Sequence, residues 1–334
     1  MTRPVAAPAP FPAEPPPDFE TIGDEPAFDP ARHLALERPA ETVSLAAFGY
    51  DAAAVAAAPS AVAVTSAFRV LSDEGAACMQ EVARKLSRFA SSNARIDRNV
   101  RGGVYRSKFL RDFCLSPEVT EAMSDILGAP MTPHSMPHQL GHLNYNPFDL
   151  SKNVDKWHCD TLKVDFVMFV TDPNAVEGGA FEYFRGTRDE VQAIKARGEP
   201  LPKDKIVAPY FPGAGYAVLQ QGDLVTHRAK GLTAPGERIT LVNGYIPADL
   251  DVEDYTRFDQ LALADPIDVS AVEYARHIAW RGGATLDQQL NGIRFGDDRM
   301  TLADDFDRLA GLLSAAARDL RAAGTAPMEH FGDE

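Results

Sequence analysis

The chain has 334 residues, 45% of them hydrophobic, which is enough to bury the core of one large domain or two small ones. Its formal net charge of −15 argues against a nucleic-acid-binding surface, although it leaves room for a local basic pocket. Three cysteines without a CxxC pair indicate reduced thiols and hence a cytoplasmic protein, and no apolar run approaches the ~20 residues that span a bilayer.

The N-terminal segment is rich in proline. Residues 1–30 contain nine of the chain's 25 prolines and lack the apolar centre of a signal peptide. Because proline lacks an amide donor, such a segment is typical of an extended chain without a core of its own. We therefore expect residues 1–40 to form a flexible arm and residues 41–334 to form a single domain. An arm that wraps a neighbouring subunit is the alternative.

Two helices are predicted early in this domain. After residues 62–71, which are compatible with a strand, Ser72 is suited to cap a helix whose apolar side chains recur at the helical period. These side chains are Cys78, Val82, Leu86 and Phe89. A second helix is expected from Pro117 to Leu127, with proline in its first turn and Gly128 at its end.

The middle of the chain, from about residue 138 to 246, consists of short β-like runs separated by turn residues. Many short strands in one block predict an antiparallel sandwich or barrel. The predicted strands are Gln139–Tyr145, Lys163–Val170, Gly179–Phe184, Ala217–Leu219, Asp223–Thr226 and Arg238–Tyr245.

The C-terminal third returns to helical patterns. Thr301 is expected to cap a helix, with Asp304 three residues later. An apolar stripe then runs along one face, which favours packing against the back of a sheet, with a dimer seam as the alternative. The stripe comprises Leu302, Phe306, Leu309, Leu313, Ala316 and Leu320.

Three residues form a candidate metal site. His158 and Asp160 are two residues apart, and in a strand such side chains point to the same side, so we expect both to face the interior of a rolled sheet. His227 follows the strand-like Leu224–Thr226 and should lie at the end of a later strand, opposite that pair. Two imidazoles and one carboxylate on one face are the ligand set of non-haem Fe(II) oxygenases. An HxD pair alone is weak evidence, so the further elements in the right order matter.

Arg238 and Thr240 form a candidate anion site later in the chain. They again stand two residues apart, so a guanidinium and a hydroxyl should lie on one face of a strand. A guanidinium binds a carboxylate through two parallel hydrogen bonds, and the hydroxyl can add one more. The distal end of 2-oxoglutarate presents such a carboxylate.

This order of His158, Asp160, His227, Arg238 and Thr240 resembles the Fe(II)/2-oxoglutarate-dependent dioxygenase superfamily. Two further stretches, Glu177–Phe181 and Gln139–Tyr145, resemble its phytanoyl-CoA dioxygenase-like branch, and the similarity covers about residues 62–246. Serine is commoner than threonine at the position of Thr240, which keeps the hydroxyl.

The resemblance implies a mainly β fold with flanking helices, a double-stranded β-helix or cupin-like jelly roll. It also implies that His158, Asp160 and His227 are catalytic and bind Fe(II), and that Arg238, with Thr240, anchors 2-oxoglutarate. Reaction with O2 would give succinate and CO2 and would hydroxylate, desaturate or cyclise a substrate. Halogenating members replace the carboxylate ligand with a small residue, so the presence of Asp160 favours hydrogen abstraction without halogenation.

Other polar and aromatic residues flank the predicted centre. Asn144 is a candidate for contact with the cosubstrate, and a purely structural hydrogen bond is its alternative. Arg185, after the Gly178–Gly179 turn, is the preferred candidate for binding a substrate anion. The further candidates for a substrate pocket are His142, Trp157 and Tyr245, for which core packing is the alternative.

We therefore predict an oxygenase of a small molecule, such as an amino-acid-derived compound or a secondary metabolite, with no nucleic-acid or membrane partner. A homodimer is compatible with the sequence. A jelly-roll protein with a structural metal is one alternative. A cupin-like isomerase or zinc hydrolase is another, although neither explains the paired Arg238 and Thr240.

Overall fold

The structure, a computed structural model, describes residues 5–323, 325 and 327–333, so residues 1–4 of the predicted arm lie outside it. Its α-helices are α1 (Pro30–His33), α2 (Ala52–Ala57), α3 (Asp73–Leu86), α4 (Lys108–Cys114), α5 (Pro117–Leu127), α6 (Arg188–Ala196), α7 (Phe258–Ala264), α8 (Ile267–Gly292) and α9 (Arg299–Ala322). Short 3-10 helices cover Leu45–Phe48, Ser87–Phe89, Gly103–Tyr105, Pro137–Gln139, Pro173–Ala175 and Lys203–Lys205. Within these described ranges no helix combines the length and apolarity needed to cross a membrane.

The strands are short and pair in antiparallel fashion. They are β1 (Thr42–Ser44), β2 (Val62–Thr65), β3 (Phe68–Arg69), β4 (Asn99–Val100), β5 (Met131–Pro133), β6 (His142–Tyr145), β7 (Asp155–His158), β8 (Val164–Phe169), β9 (Phe181–Phe184), β10 (Ile206–Val207), β11 (Tyr216–Gln220), β12 (His227–Ala229) and β13 (Ile239–Pro247).

Two sheets result, and the chain alternates between them. The larger sheet has the order β1-β2-β11-β8-β13-β6-β4, with β3 beside β11 and β5 beside β13, and the smaller has the order β10-β9-β12-β7. From β6 to β13 the chain crosses repeatedly from one sheet to the other, which is the winding of a double-stranded β-helix. The predicted jelly roll with flanking helices is confirmed, as two sheets with no strand pairing between them in the described residues, so it is not a closed barrel.

Both faces of the larger sheet are covered. Along β8, Val164, Phe166 and Met168 pack with helices α3, α4 and α5 in the main core, whereas Val167 and Phe169 pack between the sheets. This alternation follows from the two-residue period of a strand. Because both sides are apolar, a charged side chain that points between the sheets is conspicuous, and the candidate site lies there.

The two predicted N-terminal-half helices are confirmed. The Ser72 side chain accepts a hydrogen bond from the Gly75 amide at 3.0 Å at the start of α3, which ends at Leu86, so that Phe89 belongs to the following 3-10 turn. Helix α5 spans the predicted residues and ends at Gly128, whose φ of +65° is the left-handed conformation that glycine tolerates.

The last helix differs from its prediction in its start and its packing partner. Asp298, not Thr301, caps α9, because its carboxylate accepts hydrogen bonds from the amides of Met300 and Thr301. The apolar stripe packs on α7 and α8 and not on a sheet, since Ala316 joins their core. Its side chains at Phe306, Leu313 and Leu320 are exposed. The alternative prediction, that this apolar stripe forms a dimer interface, stays a prediction.

One predicted strand is wrong. Residues 222–225 form a turn in which the amides of Leu224 and Val225 both donate to the Gln221 carbonyl, at 3.0 and 2.9 Å. The chain needs this turn because it passes here from β11 in the larger sheet to β12 in the smaller one. His227 is therefore the first residue of β12, whereas the sequence predicts it at the end of a strand.

The described part of the proline-rich segment packs against later residues of the same chain. The Ala6 amide donates to the Ala248 carbonyl at 2.9 Å, and the Ile22 amide donates to the Arg106 carbonyl at 2.9 Å. Three phenylalanines of the segment contact aromatic side chains of the domain; they are Phe11, Phe19 and Phe28. The flexibility of residues 1–40 and their division from a domain of residues 41–334 stay predictions.

The C-terminal segment, residues 327–333, returns from α9 to the smaller sheet. The Phe331 amide donates to the Trp157 carbonyl at 2.6 Å, and the Trp157 amide donates to the Gly332 carbonyl at 2.9 Å. These bonds cover the edge strand β7, whose backbone groups would otherwise lack partners on that side.

Candidate active site

The side chains of His158, Asp160 and His227 converge between the two sheets. His227 on β12 pairs directly with His158 at the end of β7, so the antiparallel register brings the two imidazoles together, with ring centroids 4.2 Å apart. The carboxylate of Asp160 reaches Nε2 of both rings, at 3.4 Å in each case. One potential ligand atom from each residue lies within 4.8 Å of the other two.

Backbone carbonyls fix the orientation of both imidazoles. Nδ1 of His158 lies 2.6 Å from the Lys156 carbonyl, and Nδ1 of His227 lies 2.9 Å from the Val225 carbonyl. In each ring Nδ1–H donates, which directs the lone pair of Nε2 towards Asp160. Burial and the nearby His158 lower the pKa of His227 to about 4, so this ring is neutral at physiological pH. A neutral imidazole is the form that binds a metal ion.

A second buried carboxyl group, on Asp165, supports Asp160 and was missed by the sequence analysis. Burial and the negative charge of Asp160 raise the pKa of Asp165 well above its usual value, so this group keeps its proton. For Asp160, burial acts to raise the pKa, but the neighbouring His227 and His158 outweigh it and the pKa falls. Gly222 is required here, because a Cβ on it would lie 2.4 Å from Asp160 Oδ2 and 2.3 Å from Asp165 Oδ2.

Gln220 is the other missed residue. It pairs with Asp165 across β11 and β8, and its amide nitrogen lies 3.1 Å from Asp165 Oδ1 and 3.2 Å from His227 Nε2. Both could have been noticed in the sequence, since Asp165 lies within and Gln220 ends an otherwise apolar strand, and a buried polar side chain needs a hydrogen-bond partner.

Arg238 supplies a buried cation at the other end of the same cavity. Its Nε donates to the Gly179 carbonyl at 2.7 Å and its Nη1 donates to Thr240 Oγ1 at 3.3 Å, whereas its buried Nη2 has no protein partner. Burial lowers the pKa of Arg238 to about 10, which leaves it charged at neutral pH. Among the described residues no carboxylate lies within ion-pair distance of this guanidinium, although Asp155 in the same cavity acts to raise its pKa. The unpartnered Nη2 can therefore donate to a bound anion.

Asn144 and His142 also line this cavity. Asn144 lies opposite Thr240 in the pairing of β6 with β13, and its Oδ1 has no partner. Nδ1 of His142 lies 3.4 Å from Nη1 of Arg101, its Nε2 is unpartnered, and burial lowers the pKa of the ring well below its usual value. The residues around the cavity are Arg95, His142, Asn144, Asp155, His158, Asp160, Val167, Phe181, His227, Arg228, Ala229, Arg238, Thr240 and Val242.

Three of the predicted substrate residues lie elsewhere. Trp157 points away from its neighbour His158 into a cluster with α6, because adjacent strand residues face opposite sides. Tyr245 is fully buried in the main core, where its hydroxyl accepts a hydrogen bond from Asn243. Arg185 is exposed after β9 and outside the lining of the cavity. We therefore assign none of these three to the site.

A second cavity adjoins the first and shares the walls formed by Arg95, His142 and Asp160. Local sequence patterns do not indicate this cavity, because its walls come from distant parts of the chain, including α7 and the C-terminal segment. Its remaining lining residues are Asn93, Ile96, Arg101, Cys159, Thr161, Arg188, Tyr255, Arg257, Gln260, Leu261, Ala264, Met328 and Glu329.

No protein-family model and no curated protein matches the chain. Solved structures that resemble it include the non-haem α-ketoglutarate-dependent epimerase SnoN from nogalamycin biosynthesis, at 16% identity and a TM-score of 0.41 over 60% of this chain and 83% of that chain. HygX from Streptomyces hygroscopicus, crystallised with nickel, 2-oxoglutarate and hygromycin B, has 14% sequence identity and a TM-score of 0.38, over 58% of this chain and 85% of that chain. EctD from S. alaskensis with bound Fe has 15% sequence identity and a TM-score of 0.40, over 71% of this chain and 89% of that chain.

Proposed function

We propose that this protein is an Fe(II)- and 2-oxoglutarate-dependent oxygenase that oxidises a small molecule. One observation carries the proposal: a cluster of two histidines and one aspartate lines the same buried cavity as a charged arginine that has no anionic partner in the described residues. The metal cluster alone is compatible with many metalloproteins. The additional buried cation is explained by a cosubstrate that carries a carboxylate.

The residues fit an iron ion by their donor chemistry. Nε2 of His158 and His227 and a carboxylate oxygen of Asp160 would hold it on one face, and this donor set suits ferrous iron. When bound, ferrous iron with 2-oxoglutarate and O2 supplies the oxidising chemistry, with succinate and CO2 as coproducts.

The rest of the chemistry that the protein provides is binding and orientation. Arg238 and Thr240 would bind the distal carboxylate of 2-oxoglutarate, and Asn144 offers an amide beside them. Asp165 would keep Asp160 oriented through its proton, in the manner of the outer hydrogen bonds that position metal ligands. Burial between two sheets excludes bulk water, which strengthens these electrostatic contacts.

The proposed substrate is a small molecule, such as an amino-acid-derived compound or a secondary metabolite. The second cavity, on the side of Asp160 that faces α7, is the place available for it. Three free cysteines support a reducing, cytoplasmic location.

The test is anaerobic addition of 2-oxoglutarate to the Fe(II)-loaded protein. If 2-oxoglutarate chelates the iron, the visible absorption spectrum changes, and admission of O2 then yields succinate. Screening small molecules for faster succinate release would identify the substrate. An unchanged spectrum at saturating 2-oxoglutarate would favour a structural metal or another metalloenzyme. His227→Ala provides the control that lacks one ligand.

A further inference from the structure

The second cavity is lined by more cationic than anionic side chains, because its carboxylates are those of Asp160 and Glu329. Four arginines line it: Arg95, Arg101, Arg188 and Arg257. Two of them are neutralised by carboxylates that lie outside its lining. Arg101 binds Asp265 through two contacts, at 2.6 and 2.9 Å, and Nε of Arg95 lies 3.0 Å from Asp155 Oδ1.

Arg188 and Arg257 differ, because they share a carboxylate that belongs to the C-terminal segment. Glu329 accepts from Nη1 and Nη2 of Arg257 at 3.2 and 2.8 Å, and its Oε2 lies 3.5 Å from Nη2 of Arg188. Arg257 also has Asp259 as a partner. For Arg188, Glu329 is the one carboxylate within ion-pair distance among residues 5–323, 325 and 327–333.

Tyr255 contacts Arg188, one of these two cations. Its hydroxyl accepts a hydrogen bond from Nη1 of Arg188, while Nε of Arg188 is buried without a partner. Tyr255 also has a φ of +58°, which a bulky residue adopts at an energetic cost. Such strained positions persist only where the surrounding structure holds them, and they cluster at active and ligand-binding sites.

Glu329 is well placed for exchange with a ligand. Its side chain is 51% exposed, so its ion pairs are weakened by solvent. Its backbone is held in position by the Glu329 amide, which donates to Gln260 Oε1 at 2.8 Å, and by the nearby pairing of Phe331 with Trp157. The carboxylate can therefore leave the arginines by side-chain rotation, without detachment of the segment.

We propose that the second cavity binds the carboxylate of the substrate between Arg188 and Arg257, and that Glu329 takes this place in the free protein. The inference rests on the proposed function, because it defines the substrate class of that same site as small carboxylic acids. A planar carboxylate suits the fork of a guanidinium, and Glu329 already demonstrates that geometry. The substrate would then extend from this group towards Asp160.

The experiment compares binding of benzoate with that of benzamide, its neutral analogue, by isothermal titration to the protein loaded with Zn²⁺ and saturating 2-oxoglutarate. Glu329→Gln removes the competing charge, so benzoate should bind this variant at least ~10-fold more tightly than the wild type. Benzamide should show no such gain. Adding Arg188→Gln to Glu329→Gln should abolish the gain.

Glu237→Gln is the matched control, because Glu237 forms an exposed pair with Arg84 away from the cavity. Equal benzoate affinity in wild type and Glu329→Gln, or a gain that survives Arg188→Gln, would overturn the proposal. Repeating the titration without metal and 2-oxoglutarate separates the two proposals, since the arginines do not belong to the metal cluster. If benzoate affinity rises in Glu329→Gln but 2-oxoglutarate does not change the iron spectrum, the anion site is supported and the oxygenase function is contradicted.

Discussion

Arg238 holds a positive charge inside the protein with an N–H group directed at no protein acceptor. A buried charge of this kind is costly unless it is paired, so the protein gains stability or function when an anion binds. The hydroxyl of Thr240 and the carbonyl of Gly179 hold the guanidinium in one orientation. This fixed orientation suits the carboxylate of the proposed cosubstrate.

Replacing Arg238 with alanine should weaken 2-oxoglutarate binding on the order of 100-fold, because the cosubstrate carboxylate would lose its buried partner. Binding of Co²⁺ should be unchanged, since Arg238 contacts none of the three candidate ligands directly. Calorimetric titrations of each ligand give both constants. Unaltered 2-oxoglutarate affinity would contradict the proposal that Arg238 binds the distal carboxylate of 2-oxoglutarate.

A second residue-scale prediction concerns Asp223, which pairs with Lys163 at 2.9 Å. Burial raises the pKa of Asp223 from 3.8 to about 6, so between these values the folded protein holds a proton that the unfolded chain has released. Stability from this group therefore falls as pH rises through that window. The wild type should lose up to about 3 kcal/mol relative to Asp223→Asn between pH 4 and 7.

Urea unfolding of the two proteins at several pH values measures this difference. Loss of the Lys163 partner lowers the stability of Asp223→Asn at each pH, so the change with pH is the informative quantity. A difference that stays constant from pH 4 to 7 would show that Asp223 titrates normally.

At the scale of elements, the N-terminal segment caps a helix of the domain. The carboxylate of Glu25 accepts hydrogen bonds from the amides of Lys108 and Phe109, at 2.7 and 3.3 Å, and from the Ser107 hydroxyl. These amides belong to the first turn of α4, where a negative charge is favourable. The segment therefore contributes to the stability of the domain that it covers.

Replacing Glu25 with alanine should lower the free energy of unfolding by about 1–2 kcal/mol, the usual value of a helix cap. Replacing the exposed Glu14 of the same segment is the control and should change it little. Chemical denaturation of both variants tests this. Equal stability of Glu25→Ala and wild type would mean that the segment is not docked in solution.

The elements that could be predicted from the sequence are those with strong local signals. Helix α5 has a proline at its start and a glycine at its end, and β8 and β13 are long apolar runs. Asp223–Thr226 was predicted as a strand because Leu224 and Val225 are apolar. The need for a turn there depends on the change of sheet between β11 and β12, which local sequence does not reveal.

For the whole molecule, the alternation of strands between two sheets assembles the site. His158 and His227 are 69 positions apart in the sequence, and only the pairing of β7 with β12 brings them together. The motif order predicted these residues and Arg238. The cavity lined by Arg188, Arg257 and Glu329 depends on where α7 and the C-terminal segment fold back, so no local pattern could indicate it.

The most direct test of the central claim is anaerobic equilibrium dialysis of the protein against Fe(II). We predict one iron ion per chain, with affinity reduced by more than about 100-fold in His227→Ala, because loss of a direct ligand should cost more than the roughly 10–100-fold typical for loss of an outer hydrogen-bond partner. His330→Ala, which removes an exposed histidine of the C-terminal segment, should bind iron as the wild type does. Equal iron binding by His227→Ala and wild type would contradict the proposed metal centre.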